Sequence, residues 1–370
     1  MNILMNTPRR AMTGLDDAPL PSTDDATVAA LISKCPHAAT TPLTSLDVLA
    51  ADAGVAAVWI KDERARMGLG SFKALGAAYV IAHDAANGSV AGRTYVTASA
   101  GNHGMSVAAG AAAFGARSVV YIAQTVPESF AARLRDIGAE VRREGDIYEQ
   151  SMAAAAQAAD DNGWDLLSDS SWPGYFDRPH RLMEGYLMLM REAITQVPDV
   201  PTHIMLQAGV GGLAGACAAL ARKTWGDGPK IVVVEPEFAP AIIDSIAAGR
   251  AVVSAGPVSD MGRLDCKEPS LIALKGLAHD ADAFVTISEA EGAAGAQAVA
   301  DHGMPSSASG AAGIAALWRP ADRTLGWMTD QRCCAFCPKN RHERLFIRID
   351  PRWPAAAGFD RAANGRNHRT

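Results

Sequence analysis

The stretch THIMLQAGVGGLAGACAAL, residues 202–220, is the part of the sequence that most clearly indicates the fold. Its apolar run at 203–209 predicts a buried strand, which passes through Gly211 and Gly212 into a helix rich in alanine and leucine. Free N–H groups at a helix start favour an anion, and glycine lets the backbone approach it closely. The GxGG spacing matches neither GxGxxG nor GxxxxGK(S/T), so we expect a phosphate here rather than a dinucleotide. The alternative is a tight turn that binds nothing.

The same order of strand, loop and helix recurs along the chain. Strands are predicted at 56–63, 94–101, 203–209 and 230–237, and helices at 72–86 and 102–115. Strands that alternate with such helices form right-handed βαβ units, so the sequence predicts the α/β class, with two domains and mostly parallel, twisted sheets. Ligands in these folds bind where a strand ends and its loop enters a helix.

A lysine opens the helix that follows the first of these strands, in GLGSFKALGAAYV at 68–80. Lys73 lies among Phe72, Ala74 and Leu75, so its stem is expected to be half-buried. Two interpretations are open. Either the charged head reaches solvent from a buried stem, or the amine is desolvated and its pKa is lowered, which suits Schiff-base formation.

A further loop, TASAGNHGMSVAAG at 97–110, holds Asn102 between Gly101 and Gly104. Asn102 caps the helix, donates a hydrogen bond from its amide to a ligand, or does both. The lysine, the asparagine and the glycine-rich loop together predict a small phosphorylated carbonyl cofactor. Pyridoxal 5'-phosphate (PLP) fits that description.

These motifs resemble those of the fold-type II PLP-dependent enzymes, the tryptophan synthase β-like group. The pattern S-x-K appears at 71–73, S-x-G-N-H at 99–103 and the phosphate loop at 209–213, in the order and spacing of that group. The resemblance covers about residues 30–318 and implies the fold-type II architecture. FKALGAAY, DSSWPGY, THIMLQAGVGGLAG and MGRLDCKEPS further resemble the diaminopropionate ammonia-lyase subfamily.

The resemblance implies a role for each matching residue. Lys73 would bind the cofactor aldehyde covalently and act as a base on the substrate Cα, and Asn102 would hydrogen-bond the cofactor's phenolic oxygen. The phosphate would be bound by backbone N–H groups of Gly209, Val210, Gly211, Gly212 and Leu213.

Two more residues match the subfamily. Asp169 would handle the substrate amino group or a proton, and its alternative is a capping or loop aspartate. Cys266 matches a motif cysteine, for which we favour a buried structural thiol. No metal ligand set is predicted.

The resemblance implies α,β-elimination from a small amino acid, in which Lys73 removes the Cα proton and the β-substituent leaves. For 2,3-diaminopropionate the products would be pyruvate and ammonia. A serine/threonine dehydratase-type deaminase shares the motifs and stays open, as does a PLP-binding protein impaired by the atypical C-terminus. A leaving amine needs a proton, so the reaction requires a nearby acid.

Two alanines depart from the pattern of the relatives. Ala100 stands where the subfamily has an aspartate that is a plausible second base, so we expect preference for one enantiomer, the L form, or a different substrate. Ala308 stands where relatives often have a glutamate before Ser-Gly, which alters the surroundings of the cofactor ring.

The domain organisation follows from these patterns. We expect a flexible N-terminus at 1–25, a large PLP-binding domain at 26–87 and 181–318, a small domain at 88–180, and an atypical tail at 319–370. The tail holds eleven basic and five acidic residues, a net charge of +6, which leaves −12 for the first 318 residues. We interpret it as disordered or as the product of a shifted reading frame. A zinc site is not favoured, because the tail has only one CxxC; its candidate ligands are Cys333, Cys334, Cys337, His342 and His368.

The amino-acid composition excludes several other classes of protein. The chain has 370 residues, 49% hydrophobic and 20% charged, which is typical of globular proteins. A net charge of −6 argues against a dedicated nucleic-acid binder. No apolar run approaches the ~20 residues of a membrane span, and the N-terminus lacks a secretory signal's apolar core. Six cysteines suit a reducing cytoplasm. The partners expected are a small amino-acid substrate and, since relatives commonly dimerise, a second copy of the chain.

Overall fold

Two sheets organise the chain. The computed structural model describes residues 2–6 and 8–317, and the backbone of 332–337. The described strands are β1 (Ile3–Met5), β2 (Leu43–Ser45), β3 (Ala57–Asp62), β4 (Thr94–Ala98), β5 (Arg117–Ile122), β6 (Glu140–Arg143), β7 (Asp165–Leu166), β8 (His203–Gln207), β9 (Lys230–Pro236), β10 (Ala283–Ile287) and β11 (Arg332–Cys337).

Helices cover both sheets. They are α1 (Asp25–Ile32), α2 (Asp47–Ala53), α3 (Lys73–Asn87), α4 (Asn102–Ala113), α5 (Glu128–Asp136), α6 (Tyr148–Asn162), α7 (Asp177–Gln196), α8 (Gly212–Trp225), α9 (Ala241–Ala248), α10 (Leu271–Asp280), α11 (Glu289–Asp301) and α12 (Ala308–Leu317), with a kinked 3-10 helix at Glu63–Gly68. Polar caps mark some helix starts: the Ser288 hydroxyl and the Glu291 side chain form a capping box at α11.

The larger sheet has the order β1-β10-β9-β8-β11-β3-β2. Its five inner strands are parallel, whereas β1 and β2 pair antiparallel at the two edges. Every residue of β8 and β10 is buried, as expected for strands with helices on both faces. The smaller sheet, β6-β5-β4-β7, is parallel throughout. The predicted α/β class with mostly parallel sheets is therefore confirmed.

Two helices, α3 and α7, pack closely beneath the loops of interest. A Cβ added at Gly76 of α3 would lie 2.8 Å from the Tyr186 ring and 2.9 Å from Leu182, both on α7. A Cβ added at Gly185 of α7 would lie 2.4 Å from the carbonyl oxygen of Leu75. The absence of a side chain at both crossing points lets α7 approach the start of α3 closely. This approach brings Tyr186 of α7 toward Lys73.

Regular structure also occurs in both chain ends. Ile3–Met5, within the predicted flexible segment 1–25, pairs with β10, and the buried Asn6 side chain donates to the carbonyl oxygens of Ala278 and Ala281 at 2.9 Å each. Arg332–Cys337, within the atypical segment 319–370, forms β11 between β3 and β8. Backbone pairing with both neighbouring strands orders these six residues, and the interpretation of 319–370 as disordered or as the product of a shifted reading frame stays a prediction. The rest of 319–370 lies outside the described residues.

The strands of the smaller sheet lie between Thr94 and Leu166, inside the predicted small domain at 88–180. The other strands lie in or beyond the segments assigned to the large domain, and the domain boundaries themselves stay predictions. Three loops at strand ends matter for function: β3 leads to Lys73, β4 to Asn102 and β8 to Gly209.

Candidate active site

Lys73 is the first residue of α3 and forms an ion pair with Asp169, 96 positions later in the chain. The two side chains are 21% and 17% exposed, so the pair is mostly shielded from water but still reachable. Burial disfavours the charge on Lys73, but the Asp169 carboxylate outweighs it and raises the pKa of the lysine. The lowered pKa considered from the sequence is therefore not found, since the nearby carboxylate reverses the effect of burial.

Asp169 is ionised in this arrangement. Burial would raise its pKa, but the charge of Lys73 and the hydrogen bond that Lys73 donates lower it well below the usual range. The loop that carries Asp169 is anchored nearby: the Tyr175 hydroxyl donates to the Leu166 carbonyl oxygen at 2.8 Å and accepts from the Ser168 amide at 3.1 Å. Asp169 thus holds a negative charge at a fixed position, where it can pair with Lys73 or with another cationic group that takes the place of the lysine.

Aromatic rings form one wall around the lysine. Lys73 Nζ lies 5.3 Å from the ring centroid of Phe72 and 5.8 Å from that of Tyr186. The two rings pack edge to face, with centroids 5.0 Å apart. Cation–π contact and exclusion of water both strengthen the pairing of Lys73 with Asp169.

The glycine-rich loop has the geometry that a phosphate requires. A Cβ at Gly209 would lie 3.0 Å from Cys266 Sγ, and one at Gly211, where φ is +94°, would lie 2.7 Å from Ile242 Cδ1. The loop therefore needs glycine at both positions. Helix α8 begins at Gly212, so N–H groups without intrahelical partners and the positive end of the helix dipole lie at this loop.

Val210 and Leu213 occupy the same loop. The Val210 carbonyl oxygen accepts a 2.9 Å hydrogen bond from the Ser270 amide, which ties the loop to the start of α10. Leu213 is buried in the first turn of α8. Backbone N–H groups at a helix start suit a phosphate group, so the residues present fit the expected cofactor.

Asn102 is the first residue of α4, at the carboxyl end of β4. The N-cap is Gly101, so Asn102 does not cap this helix as the alternative interpretation proposed. A Cβ at Gly104 would lie 2.1 Å from the Ser99 carbonyl oxygen, which explains the glycine that follows His103 in this tight loop. The loop therefore brings an amide side chain to the strand end where a ligand is expected.

Comparison with known proteins agrees with this geometry. Residues 35–335 match the model of a family described as pyridoxal-phosphate dependent enzymes. The chain belongs to this family. It is also 31% identical to diaminopropionate ammonia-lyase of Salmonella typhimurium, over 79% of this chain and 80% of that relative. It is 28% identical to L-threonine ammonia-lyase of Thermotoga maritima, over 60% of this chain and 53% of that relative.

Solved structures give the same assignment. Diaminopropionate ammonia lyase from Escherichia coli, in complex with an aminoacrylate-PLP azomethine reaction intermediate, superimposes with a TM-score of 0.81 and 28% identity. That match covers 91% of this chain and 93% of the E. coli chain. Threonine deaminase isoform 2 from Solanum lycopersicum, at 20% identity and a TM-score of 0.74, shares the fold. The fold-type II assignment is confirmed, and the cofactor of this PLP-dependent enzyme is pyridoxal 5'-phosphate.

His103 also lies in the site of this PLP-dependent enzyme, although no role for it was predicted from the sequence. Its Nε2 lies 2.8 Å from the Leu167 carbonyl oxygen, which makes Nε2 the protonated nitrogen. Nδ1 is buried and has no hydrogen-bond partner among residues 2–6 and 8–317. Burial lowers the pKa of His103, and the charges of Asp169 and Lys73 also act on it. The ring is therefore neutral and offers Nδ1 as an acceptor.

Two tyrosines were also missed. Burial and the Asp169 carboxylate raise the pKa of Tyr186, on α7, although the Lys73 charge opposes the shift. Tyr148, at the start of α6, is half exposed, and partial desolvation together with the Asp169 carboxylate raises its pKa as well. Both hydroxyls therefore keep their protons at neutral pH. Tyr186 lay in an amphipathic run that predicts a core helix, and nothing local marks Tyr148.

Cys266 lies against the glycine-rich loop, as its distance from a Cβ at Gly209 shows. Burial raises the pKa of its thiol to about 12, and the Asp169 carboxylate adds to the shift. The thiol is therefore neutral and a weak nucleophile. This state agrees with the structural role favoured from the sequence.

The remaining predicted positions have ordinary surroundings. Ala100 is partly buried against a small apolar cluster that includes Met105, and Ala308 is the first residue of α12. The described part of the chain has no group of three or more His, Cys, Asp or Glu side chains arranged to hold a metal ion. Within the same residues no helix is both long and apolar enough to cross a membrane. The side chains considered for zinc, at 333, 334, 337, 342 and 368, lie outside the described residues.

Proposed function

We propose that this chain is an ammonia-lyase that catalyses α,β-elimination from a small amino acid, with 2,3-diaminopropionate as substrate and pyruvate and ammonia as products. The observation that carries the proposal is the ionised Asp169 paired with Lys73 beside the glycine-rich loop. Relatives named diaminopropionate ammonia-lyase, in Salmonella and in E. coli, support it.

We propose that Lys73 holds the cofactor and acts as the base at Cα, that Asn102 binds its phenolic oxygen, and that the loop 209–213 binds its phosphate. Bound PLP supplies an electron sink that makes the Cα–H of an amino acid acidic. The helix-start N–H groups of α8 and the positive φ of Gly211 support the phosphate role.

A cationic substrate takes over the carboxylate that pairs with Lys73. When neither cofactor nor substrate is bound, Asp169 keeps the proton on Lys73 Nζ. In the loaded enzyme the substrate amine would take the place of Lys73 on the cofactor, and an ammonium group of the substrate competes for Asp169, so the pKa of the freed lysine is lower than in the ion pair. The neutral amine can then accept the Cα proton. Asp169 therefore couples arrival of a cationic substrate to activation of the base.

The same carboxylate distinguishes between leaving groups. A β-ammonium group held by ionised Asp169 already carries the proton that it needs to leave as ammonia. A serine or threonine hydroxyl must gain a proton, which ionised Asp169 does not supply. The protonated hydroxyls of Tyr148 and Tyr186 are the neighbouring groups that could donate one. This difference favours 2,3-diaminopropionate over the dehydratase substrates.

The proposal predicts a preference for the L enantiomer. Ala100 carries no titratable group, which leaves Lys73 as the proposed base at Cα. Pyruvate release from L- and D-2,3-diaminopropionate measures this directly. Equal kcat/KM for the two enantiomers would contradict the assignment of a single base.

The test of the reaction is a substrate screen on purified protein with added PLP. We expect pyruvate release from 2,3-diaminopropionate with kcat/KM at least about tenfold above that for L-serine or L-threonine. Faster turnover of serine or threonine would make the chain a dehydratase. Cofactor absorbance without any product would make it a PLP-binding protein that lacks catalysis.

We further propose that the enzyme is a cytoplasmic homodimer. The free thiols of Cys35, Cys217 and Cys266 suit a reducing compartment, and relatives of this fold commonly dimerise. Light scattering coupled to size-exclusion chromatography measures the oligomeric state, and a monomer mass at micromolar concentration would contradict the dimer.

A further inference from the structure

Two motifs of the chain carry more residues than the site uses: DSSWPGY at 169–175 and MGRLDCKEPS at 261–270. The structure joins them through Ser171 of the first and Ser270 of the second. The two hydroxyl oxygens lie 2.7 Å apart, and the residues are 2% and 0% exposed. A fully buried polar contact of this kind specifies how the segments that carry it are placed.

Ser270 holds the glycine-rich loop. Its backbone amide donates a 2.9 Å hydrogen bond to the carbonyl oxygen of Val210. In a planar trans peptide the carbonyl oxygen and the following N–H point in opposite directions, so this bond directs the N–H of Gly211 away from α10. That N–H belongs to the loop proposed to bind the cofactor phosphate. The direction of a phosphate-binding donor therefore depends on the position of Ser270.

Ser171 holds the segment of Asp169 against the same helix start. Its amide donates to Ser270 Oγ at 3.2 Å, and its carbonyl oxygen accepts from the Leu271 amide at 3.1 Å. Its hydroxyl accepts from the Ile272 amide at 3.0 Å and so caps α10, since the N-cap Ser270 forms no side-chain cap. Both backbone polar groups of Ser171 are thus fixed two residues after Asp169.

The segment of Asp169 also touches the glycine-rich loop directly. A Cβ added at Gly212 would lie 3.8 Å from the carbonyl oxygen of Asp169. Such a contact limits only how closely the two segments approach, whereas hydrogen bonds also set direction. The bonds of Ser171 and Ser270 are therefore what orients Asp169 relative to the loop.

We propose that Ser171 and Ser270 are positioning residues that hold Asp169 and the phosphate-binding loop in one fixed relation. Binding of the cofactor phosphate and pairing of Asp169 with Lys73 then depend on the same two hydroxyl groups. When a substrate is bound, the serines also keep Asp169 where the substrate's ammonium group arrives, a part of the inference that rests on the proposed function. Loss of either hydroxyl weakens both interactions.

The experiment titrates the apoprotein with PLP and follows the absorbance of the bound cofactor. The variants are Ser171→Ala and Ser270→Ala, and the matched control is Ser245→Ala on α9. Ser245 is equally buried, and its hydroxyl donates to the Ala241 carbonyl oxygen at 2.7 Å and accepts from the Val252 amide at 3.1 Å. We expect both variants to raise the Kd of PLP about tenfold and the control to leave it unchanged.

The second readout is the pH dependence of PLP incorporation. A loosened Asp169 raises the pKa of Lys73 less, so the rate should reach its plateau at lower pH in both serine variants. In the Asp169→Asn background, Ser270→Ala should give no further shift of the pH profile, while it still raises the Kd of PLP. A hydroxyl that only stabilises the fold would not produce this pattern.

An unchanged Kd or an unchanged pH profile in either serine variant would overturn the proposal, as would equal effects of Ser245→Ala. A further pH shift in the Asp169→Asn background would overturn it as well. Ser171→Cys and Ser270→Cys, which keep a side chain of similar size with a weaker donor, replace the alanine variants if these do not fold. None of these measurements requires turnover, so a lack of diaminopropionate elimination would refute the proposed function alone.

Discussion

The open ion pair in the cleft contrasts with a closed network of charges below it. Lys73 and Asp169 pair with each other at a site that is partly reachable by solvent. By contrast, Lys61, Arg66 and Glu192 are at most 5% exposed and share three salt bridges of 2.7 Å with each other and with Glu63. Two cations and two anions thus satisfy one another inside the protein.

The two sets of charges differ in whether their members can change partners. Arg66 bonds to Glu63 within the 3-10 helix and to Glu192 on α7, so it fixes the segment that leads into Lys73. Met67, in the same segment, adopts a left-handed φ of +49° that a non-glycine residue disfavours. The closed network holds the strained turn in place, whereas the open pair can change partners when a substrate arrives.

Removal of the lysine should give the largest effect. Lys73→Ala takes away both the proposed attachment point of the cofactor and the proposed base, so we expect kcat/KM for 2,3-diaminopropionate to fall by at least about a thousandfold. Pyruvate release measures the loss. Lys223→Ala, which removes an exposed lysine of α8, is the control and should retain full activity. Substantial turnover by Lys73→Ala would refute the assigned role.

Opening the closed network should mainly affect stability. Arg66→Met leaves Glu63 and Glu192 buried with fewer partners, and we expect the free energy of unfolding to fall by about 3–5 kcal/mol. Urea denaturation measures the change. Arg64→Met, two residues away at a partly exposed pair with Asp62, should cost at most about 1 kcal/mol. Similar losses for the two variants would show that burial does not distinguish them.

Removing the charge of Asp169 from the open pair should change the pH dependence of PLP incorporation rather than the stability of the fold. In Asp169→Asn the pKa of Lys73 loses its main upward influence, so the amine deprotonates at lower pH. We expect the rate at which the apoenzyme incorporates PLP to reach its plateau at lower pH, with turnover of 2,3-diaminopropionate reduced about a hundredfold. Absorbance of the bound cofactor follows incorporation. An unshifted pH profile, with Asp136→Asn as the surface control, would show that Asp169 does not govern the lysine.

Glu235 offers a second contrast. Within residues 2–6 and 8–317 this buried carboxyl group receives hydrogen bonds from backbone amides alone, those of Ile242 and Ile243 at 2.8 Å each. Burial raises its pKa from 4.5 to about 8, opposite to the shift of Asp169. The folded state therefore holds a proton that the unfolded state releases, so the free energy of unfolding falls as pH rises from about 4.5 to about 8.

We expect Glu235→Gln to flatten this part of the pH–stability curve, the smallest of the four effects. Thermal unfolding between pH 5 and pH 8 measures it, with the exposed Glu237→Gln as the matched control. Parallel curves for wild type and Glu235→Gln would contradict the shift.

Much of the site could be predicted from the sequence, because each of its loops is marked by a motif of residues that are close together in the chain. The glycines at 209, 211 and 212, Lys73 and Asn102 each stand at a strand–helix junction whose pattern is visible within about 15 residues. The strands β3, β4, β8 and β9 and the helices α3 and α4 were predicted for the same reason, since burial gives them continuous apolar runs or helical periodicity.

The remaining features depend on contacts between distant segments. The strands β1, β2, β6 and β7 have two to four residues each, too few to show a pattern, and β11 is ordered by pairing with β3 and β8. The pKa of Lys73 depends on a carboxylate 96 positions away, which no local pattern could place beside it.

The most direct test of the central claim is borohydride reduction of the PLP-loaded protein followed by peptide mass mapping. The account predicts a single pyridoxyl adduct on Lys73, lost in Lys73→Ala. An adduct on another lysine, or none on a protein that has bound the cofactor, would contradict it.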